Sequence, residues 1–296
     1  MNQLVGPVIF IVPGMQARAW IEALKVAAAR RGLTYMEDWG AGTDVQYPTV
    51  GVTVVWTEIL PSTGVTVVIA PDEEDAIRGC ASFYNVDTDE GMRIASRRYS
   101  LASVLVEGGA QLCRPGGSVT IPGLGEVEIG ASALAPSQSR PLEIFDQLPV
   151  PVGASAEWPA ELMWAAGEPV CALSDQYIDL TGRRRLLAFG PFIMLPPGRW
   201  RVQAILEVKI ESSPVVLNME WGVEGGASED FTVSESGIYR VVLEQAWKSS
   251  TVPQFKLILQ QAAFSGYLKL KYMRCELYGK ECFHALDSSN PILRVS

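Results

Sequence analysis

The sequence predicts an α+β protein of two domains, a small N-terminal α/β domain followed by an antiparallel β-sandwich. Three observations carry that expectation. In the first third of the chain, short Val- and Ile-rich runs alternate with segments whose apolar residues recur at helical spacing. From Trp158 onward no segment keeps helical spacing, and turn signals recur roughly every eight to twelve residues. The 296 residues are 48% hydrophobic and 19% charged, which supplies apolar material for two cores and is far from a disordered composition.

The N-terminal elements follow in order. Val8 to Val12 is an apolar run that fits a buried strand, ended by Pro13-Gly14. From Met15 to Arg31, Trp20, Ile21, Leu24 and Ala28 fall on one helical face, and Gly32 supplies a C-cap. Strands are expected at 33–37, 50–60 and 65–70, with Pro61-Ser62-Thr63-Gly64 turning between the last two. Asp72, Glu73, Glu74 and Asp75 suit a helix N-terminus, where negative charge is favoured, and this helix should reach Phe83. A further helix over 89–107 uses Met92, Ala95, Tyr99, Ala102 and Leu105 and stops at Gly108-Gly109. Short strands are expected over 110–130. The proline-bearing stretch 131–154 is expected to link this domain, residues 1–130, to the sandwich at 155–278, with a polar tail at 279–296.

The second half is most informative between Phe189 and Val202. Phe189, Phe192 and Leu195 are large and apolar, Pro196-Pro197-Gly198 reverses the chain, and Trp200, Val202, Ala204 and Leu206 then alternate with Arg199, Arg201, Gln203 and Ile205. That period of two marks a strand with one buried face. Strands are expected at 176–180, 186–195, 199–210, 215–223, 228–233, 237–245, 254–260 and 266–277, a spacing that fits a jelly roll.

Charge and motif content exclude several chemistries. A net charge of −9, with Arg183-Arg184-Arg185 as the one short basic run, argues against a nucleic-acid partner. No apolar stretch approaches the roughly 18 residues of a membrane span, and the N-terminus lacks the pattern of a secretory leader. The five cysteines form no CxxC and His284 is the single histidine, so a structural zinc site has no ligand set and the thiols are expected to be reduced. In an oxidising setting Cys275 and Cys282 could pair. There is no P-loop and no GxSxG, and His284 alone could serve a serine or cysteine nucleophile. Asp87-Thr88-Asp89 has the spelling of a metal-binding Asp-x-Asp, in an expected loop after Tyr84-Asn85-Val86 rather than after an apolar strand. Glu220, Glu224, Glu229 and Asp230 could accept sugar hydroxyls or hold Ca²⁺. The expectation is a non-enzymatic binding protein with no organic cofactor.

Aromatic residues give the positive lead. Trp200, Trp221, Tyr239, Trp247, Phe264, Tyr267, Tyr272 and Tyr278 all fall in the second half. Flat rings stack on the C–H faces of sugars while neighbouring polar groups take the hydroxyls. Trp247 precedes Lys248-Ser249-Ser250-Thr251 in an expected loop, and Trp221 adjoins Glu220. Trp247, Trp221, Glu220 and Lys248 are therefore the expected glycan contacts, while Trp200 and Tyr239 are expected to fill the core.

The run Gly190-Pro191-Phe192-Ile193-Met194-Leu195-Pro196-Pro197-Gly198-Arg199-Trp200-Arg201-Val202 resembles the GPY-x-x-LPPG-x-Y-x-V opening of jelly-roll modules similar to carbohydrate-binding domains. Gly237 to Val241 and Phe264 to Leu268 resemble later strands of such modules, and the likeness spans about 175–278. Phe192 and Trp200 stand where the pattern has tyrosine. Such modules are found on bacterial glycosyltransferases and are expected in glycan-binding spikes of phage-like particles and gene transfer agents. The resemblance implies a head spike or fibre that binds host surface polysaccharide. It also implies a homo-oligomer that contacts other particle proteins and is assembled in the bacterial cytoplasm. Two other readings stay open: a glycan-modifying enzyme whose N-terminal half carries the chemistry, and a purely structural virion protein.

Overall fold

The computed structural model describes residues 6–39, 51–56, 64–132, 134, 140–167, 171–173, 177–211 and 213–280, with the backbone of 292–295. Cys282, His284 and most of the polar tail lie outside the described residues, as does the turn at Pro61 to Thr63. Contacts divide the chain into two compact units, one made of 1–137 with 145–150 and the other of 138–144 with 151–296.

The N-terminal unit is built on five parallel strands: β1 (Val8–Ile11), β2 (Thr34–Asp38), β3 (Gly51–Val55), β4 (Val67–Ile69) and β5 (Gln111–Cys113), in the order β2-β3-β1-β4-β5. β1, β3 and β4 are buried along their whole length, which is why β1 and β4 are continuous apolar runs and β3 departs from one only at the buried Thr53. Helix α1 (Ala17–Arg30) lays Trp20, Ile21, Leu24 and Ala28 in one core with Ile9, Ile11, Val52, Val54, Val67 and Ile69. A hairpin of β6 (Gly117–Ile121) and β7 (Gly125–Ile129) joins that core through Ile121 and Val127, and the Trp20 indole donates to the Gly130 carbonyl at 2.7 Å.

Helices α2 (Glu73–Tyr84) and α3 (Thr88–Glu107) begin on aspartate caps: Asp72 accepts from the Asp75 amide at 2.9 Å and Asp87 from the Glu90 amide at 2.8 Å. Asn85 closes α2 in the left-handed region, at φ 54°. Asp87 and Asp89 thus belong to a helix start and not to a loop, which gives the Asp-x-Asp spelling a local structural reason. Arg98 of α3 is buried, and its guanidinium donates to the carbonyls of Trp56 and Ile11 at 3.1 and 2.7 Å and lies 4.2 Å over the Phe10 ring. Gly79 of α2 meets the Gly14 backbone so closely that a β-carbon there would lie 2.5 Å from the Pro13 carbonyl oxygen.

The stretch expected to be a linker is packed where it is described. Leu142, Ile144, Phe145, Leu148 and Val150 are buried, a 3₁₀ turn spans Glu143–Phe145, and Phe145 stacks on Tyr99 at 5.3 Å.

The C-terminal unit is an antiparallel β-sandwich. One sheet orders β10 (Cys171–Ala172), β9 (Trp164–Ala165), β12 (Arg185–Pro191), β17 (Gln254–Leu259), β14 (Val215–Gly222) and β15 (Ala227–Val233). The other orders β11 (Ile178–Asp179), β18 (Tyr267–Gly279), β13 (Gly198–Lys209), β16 (Gly237–Trp247) and β19 (Ile292–Val295), with β8 (Ser155–Pro159) paired to β18. The alternation read in β13 is kept: Trp200, Val202, Ala204, Leu206 and Val208 are buried, and Tyr239 joins them. Trp158 of β8, Trp221 of β14 and Trp247 of β16 tie the two inner faces together, with ring centroids 6.0 and 5.7 Å apart along the series.

Candidate functional site

Side chains alternate across each strand, so the residues of β14 that do not enter the core stand on the outer face of its sheet. Leu217, Met219 and Trp221 go in; Asn218 and Glu220 go out. Register then builds a row across that face. Trp164 pairs with Phe189, Phe189 with Lys256, Lys256 with Glu220 and Glu220 with Ser228. Neighbouring strands are about 4.8 Å apart, so the row from Phe189 to Glu220 covers about 10 Å.

One end of the row is aromatic. Trp164, Phe189 and Phe192 form a half-buried cluster, with Trp164 5.6 Å from Phe189 and 5.2 Å from Phe192. Phe192 takes φ 64°, a left-handed conformation that a bulky side chain adopts at a cost of about 1–3 kcal/mol. That conformation ends β12 at Pro191, four residues before the expected end of the strand. Such backbone outliers gather at ligand sites, where the rest of the fold holds them in place.

The other end is polar. Lys256 and Glu220 form an ion pair at 3.4 Å, both about two-fifths exposed. Next to it, the Asn218 amide donates to Ser228 Oγ at 2.9 Å and to Asp230 Oδ1 at 2.8 Å, and Gln260 donates to Asp230 Oδ1 at 3.2 Å. Asn218 is buried, and its Oδ1 has no partner among the described residues. A hollow of about 300 Å³ opens beside the pair, lined by Glu220, Gln254 and Lys256 and by the β14–β15 turn from Trp221 to Ser228.

Of the four residues expected from sequence to contact a ligand, Glu220 stands on this face and Trp221 adjoins the hollow from beneath. Trp221 is 1% exposed, and its ring belongs to the core. Trp247 closes β16 as a strand residue rather than entering a loop, pairs with Gly198, and is 5% exposed, so neither ring face is open for stacking. Lys248 is exposed in the following turn and does not line the hollow. Trp164 carried no signal in the sequence, where Phe189 and Phe192 stood out only as large apolar residues before a chain reversal. The usable signal was the alternation in β12, broken by a bulge between Leu186 and Ala188 that shifts which residues face out.

Among the described residues no group of three or more His, Cys, Asp or Glu side chains converges as a metal site, and Glu224, Glu229 and Asp230 do not gather with Glu220 into one. Nor is any described helix long and apolar enough to cross a membrane. In the N-terminal unit, burial pushes the Cys80 thiol up to about 12 and also raises that of Cys113.

No protein-family model matches the chain, and no curated protein matches it. Among solved structures, the chain is similar to the CBM36-1 domain of a multidomain xylanase from the hindgut metagenome of Trinervitermes trinervoides. The likeness covers 41% of this chain and 95% of that one, at 10% identity and a TM-score of 0.30. It is also similar to the glycosylation associate protein (Gap123) complex from Streptococcus agalactiae, over 83% of this chain and 50% of that one, at 10% identity and a TM-score of 0.25. At those scores neither likeness assigns the fold, which rests on the strand order given above.

Proposed function

We propose that this is a non-enzymatic glycan-binding protein whose ligand lies across the outer face of β9, β12, β17 and β14. One observation carries the reading: the Trp164–Phe189 end of an aromatic cluster completed by Phe192 stands in register with Lys256 and Glu220, which with Gln254, two residues along β17, line the mouth of a hollow. The rings offer faces to sugar C–H groups, and the Lys256–Glu220 pair and Gln254 supply donors and acceptors for hydroxyls. Glu220 keeps its place from the sequence reading, while the stacking role passes from Trp247 to the Trp164 cluster.

The strand order of the sandwich is that of a jelly-roll module in this proposal. The resemblance of the Gly190 to Val202 segment supplies the setting: a spike or fibre on the surface of a phage-like particle, binding host polysaccharide. Weak single sites of this kind gain avidity when copies are held together, so a homo-oligomer anchored through the N-terminal unit fits the role.

The test is a glycan panel probed with the full-length protein. Trp164→Ala and Phe189→Ala should each weaken the best binder by about tenfold, the equivalent of about 1.4 kcal/mol, with the thermal transition kept. Unchanged affinity in both variants would move the ligand off this face.

A further inference from the structure

The opposite face of the sandwich carries a second, chemically different surface. On the outer side of β11, β18 and β13, Tyr267 pairs with Lys209 and Lys269 with Glu207, and Lys271 follows on β18. Tyr177 lies over this corner, its ring meeting Tyr267 edge-on at 6.5 Å with Lys209 Nζ 4.2 Å and Lys269 Nζ 5.9 Å from its centroid. Three large aromatics here are open to solvent: Tyr177 at 38%, Tyr267 at 48% and Phe264, three residues before Tyr267, at 86%. Lys209 and Lys271 are also well exposed. A cationic, aromatic corner is out of character for a chain of net charge −9.

Two acids stand among these lysines: Asp179, opposite Tyr267 on β11, and Glu207 on β13. Glu207 accepts from the Tyr177 phenol at 2.6 Å and lies 3.6 Å from both Lys209 and Lys271, contacts that hold its carboxyl below the usual range. A carboxylate at the centre of the patch opposes a DNA phosphodiester backbone, which carries acceptors and charge but no hydroxyl donors to offer it. It suits a polymer that brings hydroxyl donors beside its negative groups. The rings in turn suit a sugar face better than a flexible acidic peptide.

We propose that the Tyr177–Tyr267 corner binds an anionic polysaccharide, with Lys209, Lys269 and Lys271 pairing to its acid groups and the Tyr267 and Phe264 rings stacking on its sugars. This deepens the glycan-binding reading with a substrate class, but it uses none of the residues of the Trp164 face, so either can fail without the other.

The experiment titrates the full-length protein with polygalacturonate at 50 and 300 mM NaCl, beside neutral dextran and a single-stranded oligothymidylate. Saturable binding to polygalacturonate is expected, weakened at least tenfold by the added salt as the exposed charges are screened. Lys269→Glu with Lys271→Glu should weaken it about a hundredfold, and Tyr267→Ala about fivefold. An unchanged thermal transition in these variants shows that the fold is intact. Lack of polygalacturonate binding at 50 mM NaCl overturns the proposal, as does oligothymidylate binding of equal strength or an unaffected double-glutamate variant. Loss of neutral-glycan binding only in the Trp164→Ala variant tests the other face separately.

Discussion

Replacing Trp247 by alanine separates a core residue from a ligand platform. The side chain is 95% hidden and packs edge-on against Trp221 at 5.7 Å, beneath Gly222. An indole of this kind buries up to about 250 Å². At about 25 cal/mol per Å² that is an upper bound of about 6 kcal/mol. The alanine that remains and partial collapse of the space bring the expected cost to about 3–5 kcal/mol, the range for large aromatic truncations in cores. Native-state hydrogen exchange on the full chain reads this by region: amides of β13 and β16 should lose about that much opening free energy, while those of β1 and β4 stay unchanged. A loss below about 1 kcal/mol together with weakened glycan binding would refute the argument, because the ring would then be spending its energy on a ligand.

Two further predictions concern the N-terminal unit. Gly79→Ala should destabilise it by about 1–3 kcal/mol, seen as lower exchange protection in α2, because the new methyl meets the Gly14 and Pro13 backbone, which cannot yield as a side chain can; the helix-propensity gain of about 1 kcal/mol is too small to offset this. A more stable variant would show that α2 stands off the β1–α1 loop. Cys80 predicts an alkaline weakness: its folded thiol is raised to about 12 by burial, whereas an unfolded thiol ionises near ~8.5. Stability from this group is present below the unfolded value and falls between the two as pH rises, by up to about 1.4 kcal/mol per pH unit. Cys80→Ala should flatten the decline measured between pH 9 and 10.5. An unchanged slope would place the sensitivity elsewhere.

Much of the architecture was legible because it rests on periodicity. The buried runs of β1 and β4, the Trp20 face of α1 and the alternating Trp200 to Val208 strand are local patterns, and the structure keeps them. The short strands β8, β9 and β10 were not legible, since two to five residues carry no period and gain their stability from neighbours already in place. The candidate site was partly hidden for the same reason. Trp164 lies on a two-residue strand, Phe189 follows a bulge that changes its facing, and Phe192 takes a conformation that no propensity predicts for phenylalanine. Trp247 misled because a polar run after a tryptophan looks like a loop; the pairing of Gly198 with Trp247, nearly fifty positions along the chain, extends the strand through it.

The Trp164 face is proposed to carry the glycan. Hydrogen-exchange footprinting of the full-length protein, with and without a saturating neutral polysaccharide drawn from the panel, tests it most directly. Protection is expected to be confined to β9, the Phe189 to Phe192 segment, the start of β17 and the β14–β15 turn. Protection centred instead on the N-terminal unit, or on the Trp247–Lys248 turn with the Trp164 face unchanged, would contradict it.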